Sequence, residues 1–148
     1  MTQHHEGICD WMRRSTGSWT SQRRYLFGLK RKEPINVVTE FSIAALTEGE
    51  HDFQVTWEGQ TSGVMNLKLL GNELHRDIGY YTDEPTVSLL QMIDSDTLVM
   101  STTYGGRTFR EEIRFLDDDK LRLRQTVGWD AMTGECLIVG QYFEQRLV

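Results

Sequence analysis

The chain has 148 residues, of which 26% are charged and 39% hydrophobic, enough to bury one sizeable core and too few for two ordinary domains. A net charge of −6, with arginines scattered instead of gathered in one basic block, argues against nucleic acid or another polyanion as partner. No window approaches the roughly 18 apolar residues of a membrane span, and the polar stretch from Met1 to Gly7 lacks the apolar centre of a secretion signal, so a non-membrane, cytosolic or organelle-stromal protein is expected.

The chain opens with its one stretch of helical period. Ile8, Trp11 and Met12 fall at i, i+3 and i+4, and Gly17 follows as a stop, which predicts a short amphipathic helix from Glu6 to Thr16. Downstream, β-branched and aromatic residues recur at alternate positions between Gly, Asn and Asp clusters. Strands are predicted at Gly17–Lys30, Ile35–Ala45, His51–Glu58, Ser62–Leu70, Glu73–Tyr81, Thr86–Ile93, Thr97–Tyr104, Arg107–Leu116, Lys120–Trp129 and Cys136–Leu147. Gly71-Asn72, Asp94-Ser95-Asp96, Asp117-Asp118-Asp119 and Met132-Thr133-Gly134 supply turn chemistry between them. About ten short strands on short links remove their exposed edges by closing. The expectation is one mainly β domain over residues 1–148, a lipocalin-like (calycin) antiparallel β-barrel with a short N-terminal α-helix and room for one small ligand.

No GxSxG elbow, HExxH, phosphate-cradling GxxxxGK[ST] or GxGxxG is present, which lowers the hydrolase, protease and nucleotide-binding readings. His4-His5 lies in a fraying terminus and is not taken as a metal site. The three aspartates from Asp117 lack the glycine and glutamate of a calcium loop and read as a solvated turn. His51 and His75 have no nucleophile partner, and Cys9 and Cys136, far apart and without ligand spacing, read as reduced thiols.

Charges placed by strand parity are more informative. In Glu111-Glu112-Ile113-Arg114-Phe115, residues 112 and 114 share a face; in Leu121-Arg122-Leu123-Arg124 the arginines share one face and the leucines the other. If the charged face looks outward, it is a cross-strand ion-pair ladder of little functional weight. If it looks inward, Arg122 and Arg124 are desolvated anion clamps and Glu112 is a candidate proton donor. Trp19, Trp57, Trp129 and the Tyr80-Tyr81 pair are core by default, but they also suit the walls of a site for a flat conjugated ligand.

Four tracts, Gly17-Ser18-Trp19-Thr20-Ser21-Gln22-Arg23, Arg76-Asp77-Ile78-Gly79-Tyr80, Glu111 to Phe115 and Leu121 to Thr126, resemble in order and spacing the S-type phycobilin lyases, the CpcS/CpeS family. The resemblance covers nearly the whole chain. It implies a barrel that binds an open-chain tetrapyrrole noncovalently, phycocyanobilin or phycoerythrobilin, and delivers it to a cysteine of a phycobiliprotein subunit as a thioether. It also implies a cyanobacterial cytoplasm or a plastid stroma, no prosthetic group, and a possible homo- or heterodimer with a related lyase subunit. On that reading Arg23, Arg122 and Arg124 suit the bilin propionates, Trp19, Trp57 and Tyr80 its conjugated system, and Glu112 its pyrrole nitrogens as catalytic acid. The alternatives are a bilin or fatty-acid carrier and a non-catalytic subunit of a heteromeric lyase. Family members often follow Ser-Gln-Arg with Thr and His, whereas this chain has Arg24-Tyr25-Leu26, which bears on bilin preference or on activity in isolation.

Overall fold

One helix precedes ten strands in the computed structural model, which describes residues 2–28, 33–78 and 84–148, with side chains from Gly7 onward. They are α1 (Thr2–Arg14), β1 (Gly17–Phe27), β2 (Ile35–Ala45), β3 (Phe53–Glu58), β4 (Gly63–Leu70), β5 (Glu73–Arg76), β6 (Thr86–Met92), β7 (Thr97–Tyr104), β8 (Arg107–Leu116), β9 (Leu121–Asp130) and β10 (Cys136–Arg146). Each strand pairs antiparallel with its neighbours in sequence, and β1 also pairs with β10, so the sheet closes on itself. The alternation that marks strands in the sequence appears as burial: along β8, Phe109, Glu111, Ile113 and Phe115 point inward and are buried.

Helix α1 seals one end of the barrel. Its apolar stripe of Ile8, Trp11 and Met12 is buried, and the Trp11 indole packs 5.1 Å from the Phe115 ring while its N–H donates to the Asp96 carbonyl at 2.9 Å. Burying side chains of this size contributes about 1.5–3 kcal/mol each. The last turn is tied down by charge. Arg14 donates to both carboxylate oxygens of Asp119, to Asp96 and to the Ser95 carbonyl. Arg146 from β10 donates to the carbonyls of Arg14, Thr16 and Asp119, satisfying acceptors that a helix end leaves open. Below these clamps Met65, Leu67, Leu74, Leu90, Leu98, Phe53 and Phe41 fill the adjoining half of the barrel. The turns at 59–62, 105–106 and 131–135 lie at the opposite end.

Several boundaries differ from expectation by a residue or more, and two elements show why. The helix begins at Thr2 and stops at Arg14, where the Ser15 N–H is shared between the carbonyls of Trp11 and Met12. The fifth strand stops at Arg76, because Asp77 turns to accept the backbone and side-chain N–H groups of Asn66 on β4, both at 2.9 Å. The remainder of the predicted fifth strand, to Tyr81, and Lys30 at the end of the first include residues outside those described.

Candidate functional site

The half of the barrel away from α1 contains a cavity of about 350 Å³, near the lower limit of small-molecule sites. Its floor is ionic. Arg122 (β9) lies over the rings of Trp19, Trp11 and Phe41, 5.2–5.7 Å from their centres, and pairs with Glu144 (β10) at 2.9 Å, the two side chains being 4% and 0% exposed. One step higher, Arg124 pairs with Glu111 (β8) at 2.6 Å, again almost fully buried. Direct cross-strand partners place Arg23 (β1), Tyr142 (β10) and Arg124 (β9) in one row, with both guanidiniums against the tyrosine ring at 5.1 and 4.7 Å. Tyr25 meets Tyr142 edge-on at 5.7 Å, and Trp57, Val37 and Ile35 complete the apolar wall.

These charges are not equivalent. Burial pushes the Glu144 carboxyl up, but Arg122 and Arg124, a hydrogen bond from Ser21 and nearby Arg23 more than reverse this and leave it below the ordinary carboxylate range. Glu144 therefore neutralises the floor. Arg23 is different: its Nε donates to the Ser21 hydroxyl at 3.0 Å, it lies half-buried on the cavity wall, and it forms no ion pair with any described residue. An inward guanidinium without a carboxylate partner is a station for an anionic ligand group.

The structure places Arg23, Trp57, Arg122 and Arg124 around the cavity, giving the two arginines of β9 the inward one of the two orientations left open by the sequence, and it places two other residues elsewhere. Glu112 does not point inward. The β8–β9 register pairs Arg124 with Ile113 and Arg122 with Phe115, so the arginines share the inner face with Glu111, while Glu112 and Arg114 share the outer face with Leu123 and Gln125. Trp19 does not line the cavity either. It is fully buried beneath Arg122, its N–H donating to the Ser15 carbonyl and its ring stacked on Phe41, so it supports the floor. Tyr80 lies outside the described residues. Glu111, Glu144 and Tyr142 were not singled out as site residues from the sequence, and Tyr25 was noted only as part of the departure after Ser-Gln-Arg. For Glu111 the signal was present: it shares parity with the apolar Ile113 and Phe115, which belong to a core.

A larger hollow lies outside, a trough of about 770 Å³ across β2, β1, β10, β9 and β8, lined by Val38, Arg24, Phe143, Leu123 and Glu112 among others. It is larger but less suited to holding a small molecule. It is open to water along its length and its outward side chains are solvated, whereas the inner cavity sets desolvated charges against aromatic faces.

A family model described as CpeS-like protein matches residues 66–147. This chain belongs to the CpeS-like family. A protein of Nostoc sp. named as a phycocyanobilin lyase, CpcS 2, is 30% identical to it over 95% of this chain and 91% of its own length. A protein of Picosynechococcus sp. named as a chromophore lyase, CpcV, is 32% identical over 90% of this chain and 78% of its own. Among solved structures, the S-type phycobiliprotein lyase CPES from Guillardia theta superposes with a TM-score of 0.78 at 20% identity, covering 97% of this chain and 96% of that one, a likeness of fold. The family, the helix-plus-barrel architecture and the lyase class expected from the sequence agree with these matches. In this CpeS-like chain the departure after Ser-Gln-Arg has a location: Tyr25 lines the cavity, whereas Arg24 is outside, donating to Asn36 at 3.3 Å.

Proposed function

We propose that the chain is a phycobilin lyase that holds an open-chain tetrapyrrole in its barrel and transfers it to a cysteine of a phycobiliprotein subunit. The observation that carries this reading is Arg23, an inward guanidinium with no ion-pair partner among the described residues, beside the aromatic faces of Tyr25, Tyr142 and Trp57. A bilin offers what that arrangement asks for, carboxylates for Arg23 and the Arg124–Glu111 pair, and a flat conjugated body for the rings. The cavity of about 350 Å³ suits enclosure of part of an elongated ligand, with the rest extending through the end that α1 does not close.

The carboxylate assigned to the chemistry is Glu111 in place of Glu112. Paired with Arg124, it acts as acceptor and counter-ion for the pyrrole N–H groups. Stabilising the protonated ligand makes its exocyclic double bond more electrophilic. The partner's thiol then adds across that bond: sulfur joins one carbon, a proton ends on the other, and no group leaves. The barrel contributes orientation and exclusion of stray nucleophiles.

Co-expression with a bilin-producing pathway and candidate phycobiliprotein subunits tests the proposal. Colour that stays on the subunit through denaturation is expected. Uptake of bilin without such colour makes the chain a carrier, or one half of a two-subunit lyase. Failure to alter the bilin spectrum, with binding of a fatty-acid probe, overturns the lyase reading.

A further inference from the structure

Gly63 opens β4 directly opposite Trp57 on β3. Its backbone is outside the left-handed region, so no turn requires glycine here. The ring does. A Cβ built at Gly63 would lie 2.3 Å from Trp57 Cζ2 and 2.8 Å from Cε2 and Cη2, so the indole lies flat on the bare backbone. The ring shares the inner face with Phe41, its cross-strand partner on β2, and lines the cavity of about 350 Å³.

We infer that Gly63 is a specificity-determining position: by lacking a side chain it seats the Trp57 indole against β4 and gives the cavity the width a flat conjugated ligand needs. The ligand part of this inference rests on the lyase reading above. Any Cβ at position 63 must displace the ring by about 1 Å or more to regain ordinary contact, which changes the width of the cavity that the ring lines.

Four proteins decide the matter: wild type, G63A, W57F and the double variant G63A/W57F, each titrated with phycocyanobilin by visible absorption and probed by acrylamide quenching of tryptophan emission. The difference between wild type and W57F isolates the Trp57 signal. G63A is expected to alter that signal and to weaken bilin binding by about tenfold, the scale of one aromatic contact. In the W57F background, adding G63A should change affinity by less than about twofold. Equal losses in both backgrounds, or unchanged affinity and quenching in G63A, overturn the inference. If G63A does not fold, recovery in the double variant supports the seat and continued failure overturns it. No bilin spectral change with wild type overturns the lyase reading and the ligand part with it, while quenching still decides whether Gly63 seats the ring.

Discussion

Arg23 and Arg124 approach the Tyr142 ring from neighbouring strands, but only Arg124 has a carboxylate against it. Replacing Arg23 by Ala should therefore remove an anion contact without breaking a direct ion pair, since Glu144 keeps Arg122 against it and loses only the smallest of the influences that hold it charged. Bilin affinity is expected to fall by roughly 10- to 100-fold, the range of a charge-assisted hydrogen bond, with little change in the denaturation midpoint. Glu111→Gln should lower transfer more than uptake, and Glu112→Gln, on the outer face, should leave both near wild type. Initial rates of covalent colour formation beside equilibrium titration separate these outcomes. Glu144 governs stability. Its carboxyl is lower in the folded chain than in the unfolded one, so the unfolded chain takes the proton first. The stabilisation is whole above the unfolded value of about 4.3 and drains as pH falls through the folded value. Glu144→Gln should cost about 3 kcal/mol at neutral pH and flatten the acid limb of a urea-denaturation series. The inward arginines were only half legible in the sequence. Leucine is the usual inward residue in Leu121-Arg122-Leu123-Arg124, and the opposite orientation is tolerable because of partners on other strands, Glu144, 22 positions from Arg122, and Glu111, 13 positions from Arg124.

At the scale of elements, α1 was legible because its burial is local in sequence: three apolar residues on one stripe and a glycine after it. Its role as an end plug was not, since Arg14 meets Asp119 across 105 positions and Asp96 across 82. Trp11→Ala removes the centre of that plug and should destabilise the chain by about 3–5 kcal/mol, measured by chemical denaturation. The turn between β8 and β9 was read correctly from its three aspartates, but its strain was not. Asp117, Asp118 and Asp119 all have positive φ, at 52°, 50° and 64°. Aspartate tolerates this conformation better than most residues and glycine better still. Since Asp119 also holds Arg14, Asp118 is the position to change: Asp118→Gly should stabilise by about 0.5–1 kcal/mol and raise the melting temperature.

For the molecule as a whole, strand count and antiparallel order follow from alternation and turn residues, both local signals. Closure was expected from the number of short strands on short links, but the register of the closing pair was not, because it is fixed by contacts such as Trp19 with Arg146 at opposite ends of the chain. The cavity belongs to this scale: its walls draw on β1 and β2 at the start and on β8, β9 and β10 at the end. Deleting residues 136–148 should therefore abolish bilin uptake completely instead of weakening it, and should remove the cooperative unfolding transition seen by circular dichroism.

The pairing of the first strand with the last also sets a time. During synthesis Arg23, Tyr25 and Trp57 emerge early, but the surface on which they act does not exist until β10 has been made and has found β1. Contacts so distant in sequence form slowly. A nascent chain thus lacks the cavity, and a ribosome that stops before Cys136 releases a product in which Tyr25 has lost its ring partner Tyr142 and β1 its neighbour β10.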